Sequence, residues 1–111
     1  MPRDYKVFLD DMRDAIAKAR RYAANLGLKE FADDEKTVDA VVRQLEIIGE
    51  AARSIPEDAR SRHTQIDWRR VIALRNILIH QYFAVDVEII WDIVQNKLPD
   101  LDRDIRQMLA E

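Results

Sequence analysis

Hydrophobic residues recur every three or four positions over much of the chain, which is the period of an amphipathic helix. Near the N-terminus this pattern predicts a first helix over residues 4–26, and Gly27 is well placed to end it. The stretch LKEFADDEK that follows carries mostly charged side chains. We therefore expect it to be a polar connection rather than a regular element.

The second predicted helix begins after Asp33 or Asp34, whose carboxylates can cap its first turn, and runs to about Ser54. It ends there because a proline at position 56 disfavours helical backbone in the residue before it. Gly49 lies inside this helix, where glycine lowers helix propensity. We therefore expect the backbone of a neighbouring element to pack closely against it.

The C-terminal half continues in the same manner. Residues 56–66 are predicted to be a loop with a short helical turn, and Asp67 is predicted to cap a third helix over residues 68–83. Asp86 caps a fourth helix, which Pro99 kinks or ends before the apolar pattern resumes. The predicted fold is all-α, an antiparallel four- to five-helix bundle in a single domain spanning residues 1–111.

Composition narrows the function classes. The 111 residues are 48% hydrophobic and 35% charged, which is typical of a globular domain with a core. Cysteine is absent, so disulfides and thiolate chemistry are excluded, and no apolar run is long enough to span a membrane. We expect a cytoplasmic protein. The net charge of −3 argues against nonspecific coating of nucleic acid.

The third predicted helix departs from the amphipathic pattern. It is apolar almost all round, so we expect burial on more than one side, and the second side is naturally a subunit interface. Arg75, Asn76 and His80 interrupt this surface, with the last two one helical turn apart on one face. A buried arginine needs an anion or a carboxylate. Either Arg75 binds a ligand, or it pairs with an acid such as Glu46 or Glu50.

The segment RNILIHQY, residues 75–82, resembles the Arg-x4-His-x-Tyr motif of HepT-type toxins in the HEPN superfamily. The resemblance extends to RQLEIIGEAARSIP before it, to VDVEIIWDIVQNKLPDL after it, and to Phe31 and Trp68. It covers nearly the whole chain in the expected order. Asn76, directly after the arginine, also suits the family pattern.

This resemblance implies a helical homodimer in which the motif helices face a shared cleft. It implies metal-independent RNA cleavage with Arg75 and His80 as the catalytic residues and Asn76 in support. It also implies a minimal nucleotidyltransferase as antitoxin, which transfers AMP to the motif tyrosine, here Tyr82. The alternative implied by the same superfamily is a noncatalytic binding module that partners a nucleotidyltransferase.

The residues suit that chemistry. Histidine can act as acid or base near neutral pH, and arginine can hold a phosphate. Residues 53–75 carry a net charge of +3, six arginines against three acids, and four of those arginines are candidate RNA ligands. These are Arg60, Arg62, Arg69 and Arg70, for which the alternative is a solvated surface. His63 has no second ligand at metal-binding spacing, so we predict no metal and no cofactor.

Overall fold

The computed structural model describes residues 4–80 and 86–111, and all of their side chains except those of 77–80. The helices are α1 (Lys6–Ala23), α2 (Leu28–Asp33), α3 (Glu35–Arg53), α4 (Glu57–Ser61), α5 (Trp68–His80), α6 (Val87–Asp92), a π-helical segment (Ile93–Lys97) and α7 (Leu98–Leu109). The all-α class predicted from the sequence is confirmed. The predicted third helix extends beyond His80 into residues 81–83, which lie outside the described part.

Helix α3 organises the bundle because it packs against both α1 and α5 along their lengths. Helix α1 also packs against α7, and the short α2 contacts α3 and α6. The contacting faces are the apolar stripes that the helical period predicts. Fully buried members of these stripes include Leu9, Met12 and Ile16 of α1, Leu45 and Ile48 of α3, and Ile105 and Met108 of α7.

The first helix ends earlier than the sequence pattern indicates. Helix α1 stops at Ala23, and Asn25, not Gly27, adopts the left-handed conformation, with φ of 67°. Asparagine is one of the few residues other than glycine that visit this region readily. Gly27 instead has a φ of −89° and caps the N-terminus of α2. The predicted role of Gly27 as the helix stop is therefore wrong.

The stretch expected to be a polar connection contains helix α2. The Gly27 N–H donates to the Glu30 carboxylate at 3.0 Å, which completes the first turn. Phe31 is fully buried, and its ring lies 5.3 Å from that of Trp91 in α6. One buried aromatic side chain anchors this single turn. A six-residue helix with one apolar anchor has no detectable period, which is why the pattern did not predict it.

Of the two aspartates predicted as possible caps of helix α3, Asp34 and not Asp33 takes that role. Its carboxylate accepts hydrogen bonds from the Thr37 backbone N–H at 3.1 Å and from the Thr37 hydroxyl at 2.6 Å. These two bonds, together with the nearby charge of Lys36, lower the pKa of Asp34. Hydrogen bonds to the ionised form stabilise it, so the cap is strongest when the carboxylate is charged.

The C-terminal third forms one continuous helical rod from Val87 to Leu109. The Asp86 carboxylate caps it, accepting from the Glu88 N–H at 2.8 Å. Pro99 has no N–H to give, and the turn before it widens so that the Leu98 N–H donates to the Ile93 carbonyl, five residues earlier. The predicted effect of Pro99 is thus confirmed only as a local distortion, since the helix does not end there. Among the described residues, no helix is long and apolar enough to cross a membrane.

Gly49 is where α3 and α5 pack backbone to backbone, as predicted. A Cβ placed on Gly49 would lie 2.8 Å from the Arg75 backbone nitrogen and 3.1 Å from the Val71 carbonyl oxygen. These two atoms belong to one helical hydrogen bond of α5. Glycine is required here because a methyl group would occupy the space that this peptide hydrogen bond takes up. The contact fixes the position of Arg75 relative to α3.

We expect Gly49→Ala to destabilise the fold by about 1–3 kcal/mol, because the added methyl group meets backbone atoms that cannot rotate away. Gly27→Ala is the matched control, since its nearest neighbour is the flexible Glu30 carboxylate at 3.4 Å. We expect the control to change stability by less than about 1 kcal/mol. Urea denaturation followed by circular dichroism measures both. Equal stability of Gly49→Ala and the parent would refute the close contact.

Asp34→Ala is expected to lower the Tm at neutral pH, because the cap of α3 is lost. Since the pKa of Asp34 is lowered in the folded state, its stabilisation is complete above 3.8 and is lost as the pH falls through the folded pKa. The Tm difference between parent and variant should therefore shrink on acidification below 3.8. Asp33→Ala is the control of equal charge. Thermal melts over a pH series provide the measurement, and a pH-independent difference would contradict the assignment.

Candidate functional site

Helix α5 begins at a well-anchored turn. The Asp67 carboxylate accepts from the Arg70 N–H at 3.3 Å, which confirms Asp67 as its cap. The indole N–H of Trp68 donates to the His63 carbonyl at 3.0 Å, and the Trp68 side chain is buried. The start of the motif helix is thus tied to the preceding loop through both a cap and a buried aromatic residue.

Beyond this turn, the apolar side chains of α5 are only partly buried by the rest of the chain. Val71, Ile72 and Leu74 are all partly exposed, although they pack at the edge of the core. A groove of about 540 Å³ runs beside Val71 and Leu74, and its other apolar lining residues are Ile66, Ile93, Leu98 and Leu101. The apolar character that predicted a second buried side therefore remains partly open to solvent in the single chain.

Arg75 lies at the edge of α5 that faces α3. Its Nε is 3.6 Å from the Glu50 Oε1, so of the two acids proposed from the sequence, Glu50 is the partner. Glu46 pairs instead with Arg43 on its own helix, at 3.5 Å. The Arg75 and Glu50 side chains are 33% and 59% exposed. The guanidinium is therefore paired with a carboxylate but reachable from solvent.

Asn76, His80 and Tyr82 are the remaining residues of the motif. Asn76 is exposed on α5. The α5 backbone extends to His80, which places Asn76 and His80 one turn apart on the same face, about 40° apart in azimuth. The side chain of His80 and the whole of Tyr82 lie outside the described residues.

The four arginines proposed as RNA ligands differ in their local partners. The Arg60 Nε–H donates to the Ile55 carbonyl at 3.0 Å and closes the turn after α3. Arg62 pairs with Asp58 at 3.4 Å, and Arg70 pairs with Asp67 at 3.3 Å. Arg69 is exposed, and within residues 4–80 and 86–111 it forms no ion pair. Of these four arginines, Arg69 alone has a guanidinium without a partner in the part of the chain that the structure describes.

His63 is buried, which the polar sequence around it does not predict. It is 8% exposed, and its Nε2 lies 3.2 Å from the Glu111 Oε1, at ion-pair distance but without hydrogen-bond geometry. Trp68 explains the burial, because its indole hydrogen bond draws the His63 backbone against the core. In the described part of the chain, no three histidine, aspartate or glutamate side chains are grouped to hold a metal ion.

Comparison with known proteins adds a family to this geometry. The family model described as "Ribonuclease HepT-like" matches residues 12–108. The chain is 41% identical to the "Probable ribonuclease HepT" of Thermococcus cleftensis, over 91% of this chain and 92% of that protein. It is 38% identical to a "Putative RNase" of Methanocaldococcus jannaschii, over 100% of this chain and 93% of that protein. No solved structure gives a significant match.

We expect Glu50→Gln to change the free energy of unfolding by less than about 1 kcal/mol, because exposed ion pairs contribute little to stability. Glu46→Gln, which removes one charge from the same helix away from Arg75, is the comparison variant. Urea denaturation at low salt measures both. A loss above about 2 kcal/mol for Glu50→Gln would mean that the Arg75 pair is structural, and that Arg75 is not free to exchange its partner.

Proposed function

Because the chain belongs to the HepT-like ribonuclease family, we propose that it is a metal-independent endoribonuclease toxin of a toxin–antitoxin pair. The observation that carries the proposal is Arg75, the first residue of the Arg-x4-His motif, whose guanidinium is held at the protein surface beside an exposed and replaceable carboxylate. A phosphodiester presents the same kind of oxygen anion as Glu50, and arginine binds both in a bidentate manner.

The proposed reaction is cleavage of RNA by its own 2′-hydroxyl. A base removes the hydroxyl proton, the oxygen attacks the adjacent phosphorus, and the 5′-oxygen leaves with a proton from an acid. The products are a 2′,3′-cyclic phosphate and a 5′-hydroxyl. His80 supplies the proton transfers, since histidine can serve as either acid or base near neutral pH. Arg75 holds the scissile phosphate and stabilises the negative charge of the pentacovalent state.

A homodimer supplies the second proton-transfer group. Each chain has one motif histidine, whereas the reaction uses both a base and an acid. In the proposed dimer, His80 of one protomer is the base and its copy is the acid. The partly exposed apolar side chains of α5, Val71, Ile72 and Leu74, support a second copy packing on this helix. Asn76 orients His80 from one turn away, or contacts the sugar of the substrate.

The antitoxin of the pair is proposed to be a minimal nucleotidyltransferase that inactivates the chain by modifying Tyr82. The Tyr82 hydroxyl oxygen attacks the α-phosphorus of ATP, pyrophosphate leaves, and the hydroxyl proton passes to a base on the transferase. Seven residues separate Arg75 and Tyr82 in the sequence, which is close to two turns of an ideal α-helix. The attached AMP would bring its phosphate to the guanidinium, occupy the substrate's site and repel RNA.

Arg75→Ala and His80→Ala are each expected to lower the rate of RNA cleavage by at least about 100-fold, with EDTA present throughout. Arg20→Ala, which removes an exposed arginine from α1, serves as the control of equal charge. Cleavage of a labelled single-stranded RNA, with the product ends identified by mass spectrometry, is the measurement. Parent-like cleavage by either motif variant would refute the mechanism. RNA binding without cleavage by the parent would instead favour the noncatalytic module.

Co-expression with a cognate nucleotidyltransferase is expected to add the mass of one AMP to the chain, at Tyr82. Intact-mass and peptide mass spectrometry locate the adduct. Tyr82→Phe should prevent it, whereas Tyr22→Phe, which changes a half-buried tyrosine of α1, should not. A neutralised complex in which Tyr82 carries no AMP would rule out this mode of inhibition.

A further inference from the structure

We infer that Arg69 binds a backbone phosphate of the RNA other than the phosphate at which the strand is cleaved. This inference rests on the proposed nuclease function and names a substrate contact outside the motif. Three observations carry it: the azimuth of Arg69 on α5, the absence of an ion-pair partner for Arg69 among the described residues, and its distance from His80 along the helix axis.

The azimuth places Arg69 in line with the motif. On the α-helix from Trp68 to His80, position 69 lies about 20° from Asn76 on one side and about 20° from His80 on the other. These three positions form one stripe along the helix axis. The stripe points away from α3, because Val71 and Arg75 are the positions that face Gly49. Arg69 and Asn76 are both exposed on it.

The charge of Arg69 is available to a ligand. Its neighbour Arg70 lies about 80° away from His80 in azimuth and is paired with Asp67 at 3.3 Å. Arg62 is paired with Asp58, and the Arg60 Nε–H donates to the Ile55 carbonyl. Among the described residues, no carboxylate forms an ion pair with Arg69. A phosphate binding there therefore displaces water and a counterion, and breaks no existing pair.

The distance sets which phosphate Arg69 reaches. Position 69 is seven residues before Asn76 and eleven before His80, which corresponds to about 10 Å and about 16 Å along the helix axis. Because position 69 lies about 16 Å along the axis from His80, the proposed proton-transfer residue, we assign Arg69 to phosphate binding and not to catalysis. It would extend the RNA along the outer stripe of α5 and favour substrates longer than the cleaved step itself.

The test compares Arg69→Ala with Arg70→Ala and with the control Arg20→Ala, each of which removes one exposed arginine. The probe is a labelled single-stranded RNA with 2′-O-methyl groups throughout, which cannot be cleaved, and its binding is followed by fluorescence anisotropy over a salt series. We expect Arg69→Ala to weaken binding about three- to tenfold and to reduce the slope of log K against log salt by about 0.7. Arg69→Lys should restore the slope because it keeps the charge.

With cleavable RNA, Arg69→Ala should raise KM and leave kcat near the parent value, as expected for uniform binding. The inference is overturned if Arg69→Ala binds RNA no more weakly than Arg20→Ala or Arg70→Ala, or if it lowers kcat alone. It is also overturned if Arg69→Ala changes the oligomeric state in size-exclusion chromatography, since Arg69 would then be an interface residue. If the parent binds the probe through Arg69 and cleaves no RNA, the proposed nuclease function fails and the contact stands.

Discussion

The contact between Gly49 and the Val71–Arg75 peptide hydrogen bond is the constraint on which the candidate site depends. Because Gly49 has no side chain, α5 rests directly on the backbone of α3, and the Cα of Arg75 is fixed by main-chain contact instead of by a flexible side chain. The adjacent residue on α3 is Glu50, so the same contact that fixes Arg75 also places a carboxylate beside it. One glycine thus sets both the position and the resting partner of the guanidinium.

The partial exposure of Arg75 decides what that guanidinium can do. An arginine sealed in the core with a single carboxylate would be difficult to separate from it, because the uncompensated charges would cost several kcal/mol. Arg75 is one-third exposed and Glu50 more than half exposed, so water screens the pair and its net strength is small. A phosphate with better bidentate geometry can then compete for Arg75. The pair keeps the site ordered without closing it.

The sequence could predict those features that depend on local chemistry. Asp86 is recognisable as a cap, Asp34 as one of two candidate caps, and Gly49 as a close contact, because each role requires a particular residue type at one position. Helix α2 was not predicted, since its burial depends on Phe31 meeting Trp91 from a distant part of the chain. The ion-pair partner of Arg75 could not be predicted from the sequence for the same reason. Both Glu46 and Glu50 were within reach of Arg75, and only the packing of α5 on α3 distinguishes them.

The angular positions of Arg75 and His80 around the α5 axis give a physical reason why a site of this kind would require two chains. Arg75 and His80 are five residues apart, so their positions diverge by about 140° around the helix axis. Arg75 lies on the edge that packs on α3, whereas position 80 belongs to the outer stripe with Arg69 and Asn76. Because the two positions diverge, one helix alone is poorly placed to hold a phosphate between them. A second α5 helix that turns its Arg75 edge toward the outer stripe of the first helix would bring an arginine and a histidine together. In the proposed homodimer, a two-fold axis beside α5 would accomplish this and would also cover the partly exposed apolar side chains of that helix.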